Sequence, residues 1–165
     1  WDAPYPIYLR LGKDDVNEVA GLDGRFRLGR VETVREGSGE VVIFAMGSIA
    51  LEVAAACNEL AERGVSATMA VVSSFNPTPS DDIAELARSH GRVVTVEAHA
   101  VDGALGSAVA EAIAEGGIAS KLTRLGVRAP AAERSGSQAF FNRQAGIDRA
   151  AIVRDVLSAA LNVTL

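Results

Sequence analysis

Cysteine is nearly absent from this chain of 165 residues. Cys57 is the only one, so no disulfide can close within the sequence and a zinc site built from cysteines is excluded. Aromatic residues make up only 5% of the chain, too few for an aromatic-rich sandwich core. Basic residues are outnumbered, 16 Lys and Arg against 21 Asp and Glu, for a net charge of -5 and a pI near 5.1. They form no run longer than two, so the basic stripe that a phosphate backbone requires is missing and nucleic acid is not an expected partner. Long apolar runs are missing too. Stretches such as VVIFAM at 41–46 fall far short of the roughly 20 residues that span a bilayer, and no charged-then-apolar leader opens the sequence. These absences predict a cytoplasmic protein with no membrane contact.

What is present is 48% hydrophobic residues with abundant Ala and Gly, the composition of helices packed closely on a sheet. The length suits one domain of ordinary size, since domains cluster around roughly 100 to 150 residues. The chain opens at Trp1 with WDAPYPIYLRLGKDD, which reads as a strand running into a linker and suggests a piece of something longer.

Apolar residues at Phe26, Leu28, Val31 and Val34 before the turn REGSGE predict a short edge strand over 26–34. VVIFA at 41–45 is continuously apolar, as expected of a strand buried on both faces. Gly47 then allows a tight turn, Ser48 is placed to cap a helix over 49–63, and Gly64 stops it. The unit repeats as a strand at 67–72, the loop SSFNPTPS, a helix over 81–89 capped by Ser80, and a strand at 92–97. Such alternation implies a parallel sheet with right-handed crossovers. A helix over 105–115 stopped by Gly116 and Gly117, a strand at 121–127, a short helix ended by Gly146 and a final helix capped by Asp148 complete the pattern. The predicted fold class is therefore α/β, an open, mostly parallel five-stranded sheet with helices on both faces.

The most informative stretch is VEAHAVDGALGSAVAEAIAE at 96–115. Its glycines let backbone N–H groups approach an anion, and the following helix points its positive end at the loop. The spacing of Gly103 and Gly106 matches neither the dinucleotide fingerprint nor a Walker loop, so an anion cradle and a tight strand-to-helix turn both remain open. His99 follows Glu97 by two residues, which on a regular strand puts both side chains on one face at the carboxyl edge of the sheet. A nearby carboxylate favours the charged imidazole, so the pair fits either acid–base work or a loop and subunit contact. His90, at a helix end, suits the helix dipole. LDG at 22–24 with Cys57 and Asn58 faintly echoes a magnesium-binding pattern, but Asn58 falls inside a predicted helix. Cys57 reads as a small core residue, with no histidine placed to activate it.

Taken together, the stretch from Val41 to Glu115 resembles the carboxyl-terminal domain of the transketolase family of thiamine diphosphate enzymes. The resemblance runs from about Tyr5 to Val153 and is carried by the order of elements and by His99, Gly103, Leu105, Gly106 and Ser107 at the family spacing; SGS and AGID near the end also fit. Asn76 and Pro79 depart from the family's proline loop, and Ala98 and Ala100 from its histidine block, which implies a divergent member. The resemblance implies that residues 1–30 end a preceding pyrimidine-binding domain and its linker, and that 31–165 form the carboxyl-terminal domain. It implies a complete enzyme that moves a two-carbon ketol unit between sugar phosphates, with thiamine diphosphate and magnesium held by domains missing from this chain. This chain alone then binds no cofactor, supplies no catalytic residue, is inactive, and supports assembly with the missing domains or subunit and into a homodimer. Arg10 matches the arginine that contacts the substrate phosphate, and its planar fork suits phosphate oxygens. Glu97, His99, Gly103, Gly106 and Ser107 take structural or interface roles. Deoxyxylulose phosphate synthases and the beta subunits of 2-oxo acid dehydrogenases share the domain and stay as alternatives, as does a stand-alone regulatory module that binds an anion at GALGSA.

Overall fold

The computed structural model describes residues 4–11, 18–129 and 135–161. Five strands form one sheet: β1 (Val31–Arg35), β2 (Val41–Met46), β3 (Thr68–Val72), β4 (Arg92–Ala100) and β5 (Lys121–Val127). The helices are α1 (Ala50–Glu62), α2 (Ser80–Ser89), α3 (Leu105–Glu115), α4 (Gln138–Ala145) and α5 (Arg149–Leu161). The strand order is β1-β3-β2-β4-β5, with β1 antiparallel to β3 and every other pairing parallel.

The sequence pattern explains the layering. β2 is apolar throughout because both of its faces are covered. Ile43 and Ala45 point into one core with Val53, Cys57 and Leu60 of α1 and Ile152, Val153 and Val156 of α5. Val42 and Phe44 point into the other, with Ile83 and Ala87 of α2 and Leu105, Val109 and Ala112 of α3. Phe44 is fully buried, which contributes about 1.5–3 kcal/mol at the usual value of apolar burial. The chain goes from β2 by way of α1 to β3 on one side, then returns across the sheet to β4 on the other. The carboxyl ends of β2 and β4 therefore flank the topological switch point, the place where open α/β sheets usually present their functional loops.

Several helix ends match the expected chemistry. Gly146 stands in the left-handed region at φ 66 after α4, and Asp148 accepts the Ala151 N–H at 3.3 Å to cap α5. Two expected caps do not form. Ser48 lies in a 3-10 turn, Gly47–Ile49, that leads into α1 with no side-chain cap, and Ser80 is itself the first residue of α2, again without one. In each case a backbone turn before the helix takes the place of a capping hydroxyl. The edge strand is shorter than the apolar pattern suggested: Phe26 and Leu28 precede it and are exposed. Residues 4–11 take no regular secondary structure, so the strand expected at the start is not found there, and the rest of that expectation, at 1–3 and 12–17, lies outside the described residues.

Candidate functional site

The site is built on the carboxyl end of β4 and the loop into α3. Glu97 has no exposed surface, and its carboxylate lies under the amino end of α3. Its two oxygens accept the backbone N–H groups of Leu105 at 3.0 Å and Gly106 at 2.9 Å. The next two N–H groups, of Ser107 and Ala108, both donate to the Ala104 carbonyl. The amino terminus of a helix leaves about four N–H groups in need of partners; here those of Leu105, Gly106 and Ser107 find theirs within the chain, and Ala108 makes the first regular helix bond. The anion that the glycine loop invites is the chain's own Glu97.

That arrangement dictates the residues around it. Gly106 allows the helix to close on the sheet: a Cβ there would lie 2.8 Å from Arg124 Cδ, 3.0 Å from Glu97 Oε1 and 3.1 Å from Thr95 Oγ1. Gly126 on β5 does the same from the strand side, with a would-be Cβ 3.1 Å from Glu97 Cγ. Gly103 has φ 78 and open space beside it, so it serves the turn and not the packing. Its N–H donates to Ser107 Oγ at 2.8 Å, which fastens the loop to the first turn of α3. Arg124 reaches over the outside toward Asp102 at 3.5 Å.

Burial pushes the Glu97 carboxyl above the ordinary glutamate range, against the pull of the Gly106 and Leu105 N–H groups and of His99 and Arg124 nearby. Among the described residues no cation stands within ion-pair distance of it. The Thr95 hydroxyl, two residues earlier on β4 and fully buried, has no hydrogen-bond partner among the described residues. Thr95, Arg124 and Gly126 were not singled out from the sequence. A threonine inside the apolar run RVVTVE and a glycine inside a strand are the available signals, the latter marking close backbone approach.

Among the described residues Glu97 and His99 share no hydrogen bond or ion pair, although His99 lies close enough to act on the Glu97 carboxyl. The β4–β5 ladder shifts register between Val96 and Ala100. Glu97 stays under α3 while His99 is exposed, its Nδ1 3.4 Å from the Ala100 carbonyl. His90 is more than a helix-end charge. Its Nδ1 contacts the Leu86 carbonyl at 2.7 Å and its Nε2 contacts Thr68 Oγ1 at 2.9 Å, which ties the end of α2 to β3. Cys57 is buried in the α1 core, where desolvation pushes its thiol up to about 11. Asn58 accepts a hydrogen bond from Arg35 at 2.8 Å, and among the described residues no group of three or more His, Cys, Asp or Glu is gathered to hold a metal. Arg10 is exposed within the irregular segment 4–11.

Comparison with known proteins bears on the family and the fold. The family model of the transketolase C-terminal domain matches residues 29–152. In Actinobacillus succinogenes, one of the subunits of apulose-4-phosphate transketolase is 33% identical over 153 residues, 93% of this chain and 49% of that protein. The 1-deoxy-D-xylulose-5-phosphate synthase of Thermomicrobium roseum is 39% identical over 131 residues, 79% of this chain and 20% of that protein. The solved structure of a split-gene transketolase, an inactive beta4 tetramer, superposes with a TM-score of 0.76 at 31% identity, over 87% of this chain and 46% of that one. The chain thus spans about half the length of the transketolase subunit and of the solved transketolase chain. The matched region takes in the whole sheet and the Glu97-capped helix, and on these grounds the chain belongs to the transketolase C-terminal domain family.

Proposed function

We propose that this chain is the carboxyl-terminal part of a transketolase-like enzyme that moves a two-carbon ketol unit between sugar phosphates. Thiamine diphosphate and magnesium are held by the missing part, residues 1–30 lead in from the preceding domain, and this chain completes the fold and the assembly. The observation that carries this reading is the capping of α3 by Glu97. A diphosphate at the glycine loop would have to displace a buried carboxylate from both N–H groups it accepts, so the loop fits the cofactor poorly. The same fact weighs against a stand-alone module that binds an anion at GALGSA. Tyr5, Ile7, Tyr8, Leu9 and Leu11, together with Phe26, Leu28 and Phe75, are exposed apolar residues, suited to cover by the missing domains or by a second copy in a homodimer. Arg10 stands in that segment as the group that meets the sugar phosphate. A cytoplasmic location goes with this reading; among the described residues no helix is long and apolar enough to cross a membrane.

The test is calorimetric titration of the purified chain with thiamine diphosphate and magnesium, beside a light-scattering mass. No saturable heat is expected from the chain alone, and cofactor-dependent ketol transfer is expected once the missing part is supplied. Tight stoichiometric binding by the isolated chain would overturn the reading. The 39% identity to a deoxyxylulose phosphate synthase favours a second reading, in which the complete assembly forms 1-deoxy-D-xylulose 5-phosphate. The product made by the reconstituted enzyme separates the two.

A further inference from the structure

We draw no further inference here: the strongest candidate, the shallow cleft of about 260 Å³ at the amino edge of the sheet between the carboxyl ends of α2 and α3, carries nothing because its side chains His90 and Ser120 are already bonded to Leu86, Thr68, Ala87 and the His90 carbonyl within the fold, its Arg88 is an exposed helix-end cation, and no buried polar group of its lining is left aimed at a ligand.

Discussion

Glu97 Oε1 accepts the Gly106 N–H at 2.9 Å, and a Cβ on Gly106 would lie 3.0 Å from that same oxygen. At this position the hydrogen bond and the missing side chain are one requirement, because a Cβ on Gly106 would crowd the very oxygen that its N–H binds.

Gly106→Ala is expected to lower stability by about 1–3 kcal/mol, the usual cost of forcing extra atoms into a packed site. Arg124 can swing aside, but the Glu97 carboxylate is held by two N–H groups, one on each oxygen, and Thr95 is buried. The gain in helix propensity on replacing Gly offsets up to about 1 kcal/mol, and Gly106→Leu should show the larger loss. Urea unfolding followed by circular dichroism measures both. A Gly106→Leu variant as stable as the parent would show that the helix does not need this close approach.

Glu97 and Glu32 are expected to respond to pH with opposite signs. Burial holds Glu97 above the ordinary value of 4.5, so the folded chain binds this proton more readily than the unfolded one. Its contribution grows as pH falls through the raised folded value and is complete below 4.5. Glu32 is held below 4.5, first by the hydrogen bond from Arg27 and further by the charges of Arg27, Arg25 and Arg30, which together outweigh its burial. Its contribution is present above 4.5 and is lost as pH falls through the lowered folded value. Glu97→Gln should therefore flatten the stability gain between neutral pH and 4.5, while Glu32→Gln should flatten the loss at lower pH. Urea midpoints of the parent and both variants across this range decide it; a Glu97→Gln profile parallel to that of the parent removes the linkage argument.

The sheet was legible because its central strands are apolar runs alternating with helical patterns, and β2 to β5 fall where VVIFA, ATMAVV, RVVTVE and KLTRLGV stand. The edges were less legible. Phe26 and Leu28 look like strand residues, yet they stay exposed and precede β1, since apolar spacing does not tell a strand that pairs from an apolar segment that does not. The glycine loop was readable as a place that welcomes negative charge. That the charge comes from Glu97 was not, because strand periodicity places Glu97 at the carboxyl edge of the sheet and does not say that the amino end of α3 closes over it. Thr95 and Gly126 matter only through contacts between elements, which a linear pattern does not contain.

Cys57 is expected to be silent toward thiol reagents in the folded chain. It is fully buried, and desolvation pushes its thiol up to about 11, so little of the reactive thiolate forms at pH 8. An aromatic disulfide reagent should release colour only after denaturant is added, at one thiol per chain. Rapid release from the native protein would mean that α1 opens easily.

His99→Ala is expected to change the stability of the isolated chain by no more than about 0.5 kcal/mol, as for exposed positions without a structural role. The side chain is exposed, and among the described residues its one hydrogen-bond contact is 3.4 Å long. If the loop is a subunit contact, the same variant weakens association with the missing part, which a sedimentation titration reads directly. Unchanged association would remove His99 from the interface.

Arg10→Ala is expected to leave the fold untouched and to raise the KM of the reconstituted enzyme for a phosphorylated sugar. Arg10 is exposed in a segment without regular structure, so its loss removes no packing, and the thermal midpoint of the chain should not move. A charge-assisted hydrogen bond to phosphate is worth about 1.5–3 kcal/mol, which corresponds to about a 10- to 150-fold rise in KM if the contact is equally strong before and during the reaction. Arg10→Lys should recover part of the loss, because an ammonium restores the charge and not the two-pronged geometry. An unphosphorylated sugar is the control, since its KM should not respond to either variant. Equal effects on phosphorylated and unphosphorylated sugars would mean that Arg10 positions the neighbouring domain and does not touch the phosphate.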